Sequence, residues 1–363
     1  MEEMKKYILG DVCSRLSSGK GISSEEIFDS GPYPVIGGNG QRGYSFKSNF
    51  FGECGVIGRQ GAYCGNVRFF SGEAYMTEHA VVVVGNEKAD TRYLTYLLST
   101  MHLNNLSAQS AQPGLSVKTL AKQEIMLPSL TEQKRRASIL ASLEDKISLN
   151  NRINHNLEEQ AQALYKSWFI DFEPFKNGKF VNSDLGLIPK GWRIGKLSDL
   201  LEVRYGKDHK SLKDGETPVY GSGGLMRYAE RALYDGESVL IPRKGTLNNV
   251  MYVHDAFWTV DTMFYTVERV SNVIKYCHLF LLTQDLASMN SGSAVPSMTT
   301  DILNNLPLLI PTDDVIKEFN QIVSASYEIR KKKENESSFL SQSRDAILPQ
   351  LMTGQLKNTF LNC

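Results

Sequence analysis

The stretches Tyr33-Pro34-Val35-Ile36-Gly37-Gly38-Asn39-Gly40 and Thr217-Pro218-Val219-Tyr220-Gly221-Ser222-Gly223-Gly224 decide the fold, because they are one local pattern written twice. Each runs from β-branched and aromatic residues into a glycine-rich turn, the signature of a strand entering a hairpin. Pro34 and Pro218 lie 184 positions apart, and the same offset pairs Tyr44 with Tyr228, Arg59 with Arg243 and Gly61 with Gly245. One residue is then lost, and an offset of 183 sets Tyr93 on Tyr276, Ala111 and Pro113 on Ala294 and Pro296, and Pro128 on Pro311. Coincident turn residues do not hold register over such a length. The chain is an internal repeat.

Outward from the hairpins, both copies share one anatomy. Tyr33 to Ile36, Gly55 to Gly58 and Ala80 to Val84 in the first copy, and Ser238 to Ile241 and Trp258 to Val267 in the second, read as strands. Tyr93 to Met101 and Val273 to Leu282 read as short amphipathic helices, so the heads are strand-rich α+β units. Each head then runs into a long helix. Ser129 and Glu132 make a capping box after Pro128, and Thr312 or Asp313 caps at the matching point after Pro311. Ile139, Leu143, Ile147, Ile153, Leu157, Ala161, Leu164 and Trp168 step mostly by three or four, the seam of a coiled coil. A second seam through Phe319, Ile322, Ser326, Ile329, Leu340, Ile347 and Leu351 stops at Gly354. About 39 residues at ~1.5 Å rise make a rod of roughly 58 Å, longer than a small domain is wide. The expected organisation is a first head at 1–130, a central helix at 131–171, a second head at 172–311, a C-terminal helix at 312–357 and a tail at 358–363. The two helices are expected to pair as an antiparallel coiled coil with pseudo-two-fold symmetry, which holds the heads apart.

Composition narrows the function. Apolar content of 41% with 22% charged residues is that of a soluble globular chain. Met1-Glu2-Glu3-Met4-Lys5-Lys6 has no signal-peptide pattern, and no apolar run approaches the ~18 residues of a membrane helix, so a cytoplasmic protein without a membrane partner is expected. The five cysteines include no C-x-x-C pair, which argues for reduced thiols and against structural zinc. A net charge of zero gives no overall attraction to phosphate, so any nucleic-acid binding is local or shared with partners.

Motifs that would announce chemistry fail on context. Gly38-Asn39-Gly40-Gln41-Arg42-Gly43 fits G-x-G-x-x-G, but Tyr44-Ser45-Phe46 does not begin the helix that a dinucleotide site requires, and the second copy breaks the pattern. Ser18-Gly19-Lys20-Gly21 lacks the flanking residues of a P-loop, and Asp208-His209-Lys210 reads as a solvated loop. No Pro-Pro pair exists to hold a flipped adenine, and the six histidines have no metal spacing. No catalytic, cofactor or metal residues are expected in this chain.

Four segments then resemble a known family: Leu127-Pro128-Ser129-Leu130-Thr131-Glu132-Gln133-Lys134-Arg135, Ala163-Leu164-Tyr165-Lys166-Ser167-Trp168-Phe169-Ile170-Asp171-Phe172, Gly186-Leu187-Ile188-Pro189-Lys190-Gly191-Trp192, and Ile347-Leu348-Pro349-Gln350-Leu351-Met352-Thr353-Gly354-Gln355-Leu356. In this order around two heads they resemble the specificity subunit of type I restriction-modification systems. The resemblance implies a non-catalytic subunit whose two target-recognition domains each read half of an interrupted double-stranded DNA site. It implies helices that set the spacer and dock two adenine-N6 methyltransferase subunits, and a complex that recruits restriction subunits. S-adenosylmethionine, ATP and magnesium would then sit on those partners, and none on this chain.

Base reading favours Arg for guanine and Asn or Gln for adenine, because their paired groups match two adjacent base-edge atoms. The candidates are Gln41, Arg42, Tyr44, Arg59, Gln60, Tyr63, Asn66, Ser110 and Gln112 in the first copy, and Ser222, Arg227, Tyr228, Arg243, Lys244, Thr246, Asn248, Asn249 and Ser293 in the second. Arg59 and Arg243, identical in two different heads, are expected to hold phosphate or the fold, whereas Gln41 and Arg42 against Leu225 and Met226 are better placed to choose bases. The competing reading is a coiled-coil protein-interaction scaffold without sequence-specific DNA binding.

Overall fold

The computed structural model describes residues 4–107, 114–184, 186–290 and 296–355. The chain divides into two compact units, residues 1–150 with 335–363 and residues 151–334. Each unit thus holds one head and half of each long helix.

The first head is built from β1 (Lys5–Ile8), β2 (Cys13–Ser18), β3 (Tyr33–Gly37), β4 (Gly40–Ser45), β5 (Phe50–Gly58), β6 (Val67–Met76), β7 (Ala80–Gly85), α1 (Thr91–Ser99), α2 (Val117–Ala121) and β8 (Glu124–Leu127). The long helix α3 (Leu130–Phe169) follows. The second head opens with the hairpin β9 (Phe180–Ser183) and β10 (Gly186–Pro189), then runs through β11 (Arg193–Lys196), α4 (Leu197–Leu200), β12 (Leu201–Tyr205), β13 (Thr217–Gly221), β14 (Gly224–Ala229), β15 (Tyr234–Asp235) and β16 (Ser238–Pro242). It continues with β17 (Met251–Val253), β18 (Ala256–Thr259), β19 (Met263–Glu268), α5 (Ile274–Leu282), α6 (Thr300–Asn304) and β20 (Pro307–Ile310), and ends in α7 (Asp313–Thr353).

In the first head six strands form one sheet in the order β2-β7-β5-β6-β3-β4. Strand β6 pairs antiparallel with β5 over most of its length and parallel with β3 at Tyr75 and Met76. The second head keeps this order but divides it into β12-β19-β16-β17 and β14-β13-β18-β15. The division falls where the counterpart of β6 breaks at His254 and Asp255, and Asp255 takes φ +85°, a conformation that ends a ladder. The parallel pair survives, Val219 opposite Trp258 as Val35 is opposite Tyr75. The single strand expected from Trp258 to Val267 is also two, because a turn closed by Met263 N donating to the Val260 carbonyl at 3.0 Å separates β18 from β19.

Both long helices enter the cores. In the first unit Ala137 and Leu140 of α3 and Leu351 and Met352 of α7 join Leu9, Ile57, Val81 and Tyr93. Arg136, only 6% exposed, is paired with Glu132 at 2.7 Å and donates to the Leu351 carbonyl at 2.8 Å. Its cation therefore meets the C-terminal carbonyls of α7, where the helix dipole favours positive charge. Farther along, the buried Asn150 amide donates to Glu336 at 3.1 Å. In the second unit Tyr165, Trp168 and Phe169 of α3 and Phe319, Val323 and Tyr327 of α7 pack with Tyr276 and Leu281, and Arg330 pairs with Glu158 at 3.5 Å.

The α7 seam departs from the expected one. Ile322 and Ile329 are 46% and 42% exposed, and Val323 and Tyr327, one position over from Ile322 and Ser326, are buried instead. The cause is Tyr327, whose hydroxyl lies 2.6 Å from His278 Nδ1 inside the second head and fixes the rotation of the helix. The α7 stop at Gly354 is formed as expected, with Gln355 N donating to the Gln350 carbonyl at 3.0 Å. No helix among the described residues is long and apolar enough to cross a membrane.

Burial, reinforced by the Arg330 charge, holds the His278 imidazole down to about 3. An unfolded chain, with an ordinary histidine near pH ~6.5, takes up this proton first. Stability from neutral His278 is therefore complete above that pH and is lost as pH falls towards 3. The unfolding free energy of the native chain, measured by denaturant titration from pH 6.5 to 4.5, should fall by up to ~1.4 kcal/mol per pH unit. His278→Gln should be less stable at pH 7 and show a flatter profile.

Candidate nucleic-acid interface

The G-x-G-x-x-G segment is a β-hairpin, with Gly40 to Ser45 forming β4. Its tip rests on the next loop. A Cβ placed on Gly38 would lie 2.9 Å from the His79 carbonyl and 3.2 Å from Gly58 Cα, and one on Gly58 would lie 2.2 Å from the Tyr63 carbonyl. Only glycine lets three backbones meet here. Arg59 N donates to the His79 carbonyl at 3.0 Å, and Leu115 N donates to the Arg59 carbonyl at 2.9 Å. A bridge between Gln60 and Gly114 extends that contact. The hairpin tip, the 59–66 loop, the 77–79 turn and the segment at 114–115 thus form one surface.

The second head keeps the main-chain ties of this surface, with Ser222 and Pro242 standing where the first head has Gly38 and Gly58. Met298 N donates to the Arg243 carbonyl at 2.8 Å, and Lys244 bridges Ser297. The Asn249 amide donates to the Ser222 carbonyl at 2.7 Å, tying the 243–250 loop to the hairpin. The main chain at Arg59 and at Arg243 thus ties the loop to the rest of each head.

The candidate side chains separate into two groups. Arg42, Arg59, Gln60, Tyr63 and Asn66 make no side-chain hydrogen bond or ion pair among the described residues, and neither do Lys244 and Thr246. Of these, Arg42, Gln60, Tyr63, Asn66, Lys244 and Thr246 are exposed. Others are engaged within the head. Arg227 pairs with Asp214 at 3.0 Å and donates to the His209 and Leu212 carbonyls, fastening the loop before β13. Asn248 donates to Asp285 at 3.2 Å, and the Arg243 guanidinium donates to the Asp261 carbonyl at 3.0 Å while lying over the Tyr205 ring. Gln41 bonds weakly to the Gly43 carbonyl at 3.4 Å. Tyr44 and Tyr228 sit at the far ends of the hairpins, opposite Pro34 and Pro218. Ser110, Gln112 and Ser293 lie outside the described residues.

Two further residues belong to the surface. Arg68 holds the hairpin tip through the Asn39 carbonyl and side chain. Tyr205, 52% exposed, lies under Arg243. Pairing of β5 with β6, not local sequence, brings Arg68 to the tip, so no neighbouring signal marks it. Tyr205 precedes Gly206-Lys207 as Ser18 precedes Gly19-Lys20, a second-copy correspondence that could have marked it.

The family model described as the type I restriction modification DNA specificity domain matches residues 1–159 and 189–336. The specificity subunit of the type I restriction enzyme MjaIX of Methanocaldococcus jannaschii is 27% identical over 307 residues, covering 76% of this chain and 71% of the relative. That of the Escherichia coli enzyme EcoprrI is 40% identical over 142 residues, 38% of this chain and 35% of the relative. The crystal structure of the type I restriction-modification S subunit from M. genitalium superimposes with a TM-score of 0.64 at 17% identity, over 97% of this chain and 96% of the other. That last likeness concerns the fold.

The glycine contacts separate two substitutions sharply. Gly58→Ala should lower stability by ~2–4 kcal/mol, because its methyl has no room against the Tyr63 carbonyl. Gly223→Ala, with nothing within 4 Å, should stay within ~0.5 kcal/mol. Thermal unfolding of the two variants measures the difference.

Proposed function

Because the chain belongs to the type I restriction-modification DNA specificity family, we propose that its two heads each read half of an interrupted site in double-stranded DNA. The chain is a specificity subunit and not itself an enzyme, and with that the scaffold reading falls away. In this reading adenine-N6 methyltransferase subunits, two per chain, and restriction subunits supply catalysis. S-adenosylmethionine, ATP and magnesium are held by those partners.

The observation that carries the reading is the repeated surface. Both heads present the same hairpin and loop scaffold, while the exposed side chains upon it differ. A shared scaffold with unlike side chains suits two unlike half-sites. A wrong base pair costs roughly 1–3 kcal/mol, so one head reading a few pairs discriminates weakly. Joining two heads makes the second binding step intramolecular and multiplies the selectivity.

The helices supply the spacing in this account. Within the first unit Arg136 meets Leu351 and Asn150 meets Glu336, and within the second Glu158 meets Arg330. Numbers that rise along α3 fall along α7, which supports antiparallel pairing. Such pairing relates the two copies by a pseudo-two-fold axis, in keeping with the order of elements. A buried asparagine such as Asn150 costs stability in a coiled-coil seam and fixes its register.

Four residues inserted after Asn150, with four more after Glu334 to keep the pairing, lengthen the rod by about one turn. One turn is ~5.4 Å, or between one and two base pairs at ~3.4 Å. The methylated motif, read by methylation sequencing in cells carrying the partner subunits, should keep both half-sites and gain one or two spacer positions. An unchanged spacer contradicts the reading that the helices set the spacing.

A further inference from the structure

Both hairpins carry a β-bulge at the same place. Val35 pairs with Gly43 and Ile36 with Gln41, so Arg42 is the extra residue. Val219 pairs with Arg227 and Tyr220 with Leu225, so Met226 is the extra residue in the second head. A bulge frees its extra residue from the ladder and re-aims the side chain. The new direction is the same in both heads. A Cβ on Gly37 would lie 2.9 Å from Arg42 Cδ, and a Cβ on Gly221 would lie 2.5 Å from Met226 Sδ, so each side chain crosses the glycine at the end of the preceding strand.

What they present is opposite in chemistry. Arg42 is exposed and offers a guanidinium with no partner among the described residues. Met226 is 56% exposed and its neighbour Leu225 50%, an apolar pair beside the glycine-rich turn at 221–224. A guanidinium fork matches the O6 and N7 acceptors of guanine, whereas an apolar side chain has no hydrogen bond to give and gains by covering the C5-methyl group of thymine. We propose that the bulge residue is the position at which each head selects a base, Arg42 taking a guanine in one half-site and Met226 a thymine methyl group in the other. The assignment rests on the heads being DNA readers, as set out above.

The test is selection of bound duplexes from a randomised pool by the chain assembled with its methyltransferase subunits, so that loss of methylation does not hide the result. The native complex should select a bipartite site with guanine in one half and thymine in the other. Arg42→Met should weaken preference for that guanine roughly 5- to 150-fold and leave the other half-site unaltered. Met226→Arg should change one base pair in the second half-site alone. A duplex carrying uracil for the selected thymine should bind the native complex roughly fourfold more weakly, the effect of one methyl group, and Met226→Ala should abolish that difference. Arg42→Lys keeps a cation that can also donate to guanine O6 and N7, so it should retain part of the guanine preference that Arg42→Met loses. An Arg42→Met chain that binds more weakly but keeps its full preference for that guanine marks a phosphate contact and overturns the assignment, as does loss of all selection. Identical sites from the native chain and the Arg42→Met and Met226→Arg variants overturn the assignment while leaving the heads as readers. A native complex that selects no bipartite site contradicts the reading on which it rests.

Discussion

Everything the helices do depends on their being part of the heads' cores. Phe169 of α3 packs its ring 4.7 Å from Phe319 of α7 and 4.8 Å from Tyr276 of the second head, so two helices and a head share one aromatic cluster. Aromatic pairs of this kind add roughly 0.5–1.5 kcal/mol each to the burial of their surface. Sliding the helix past the head would open the whole cluster. The first unit achieves the same fixation with Leu140, Leu351, Met352 and the buried Arg136, whose one guanidinium joins Glu132 to the end of α7. Length along a helix is thereby converted into a fixed position for the loops of the head that it enters.

The two heads then divide labour between main chain and side chain. The Arg59 and Arg243 carbonyls accept from Leu115 and Met298, and the parallel pairs at Val35 and Val219 lock each hairpin to its sheet. These interactions are indifferent to most side chains. The exposed positions at the bulge and in the following loop are free to vary without disturbing them, which is how one architecture accommodates two chemistries.

Much of this was legible in the sequence because a repeat doubles every signal. The hairpins, the two long helices, their starts near Pro128 and Pro311 and the stop at Gly354 follow from local turn and cap chemistry. The errors have tertiary causes. Trp258 to Val267 alternates like one strand, yet parallel pairing with β13 claims Trp258 and Thr259 while antiparallel pairing with β16 claims Met263 to Tyr265. Ile322 and Ile329 carry the right spacing for the seam, but the contact between His278 and Tyr327 turns the neighbouring stripe inward. The contacts of Arg227 with the loop at 209–214 are likewise tertiary and had no mark in the local sequence. Which arginine is free is decided by distant chain, and no local pattern reports it.

The central claim, that each head reads its own half-site, is tested most directly by making the heads alike. Residues 193–310, from β11 through β20, would be replaced by a second copy of residues 5–127, from β1 through β8, and the methylated motif sequenced in cells carrying the partner subunits. If the helices pair antiparallel as proposed, two identical heads predict a palindromic site in which both halves are the half-site read by the first head. Persistence of the native asymmetric site would contradict the account.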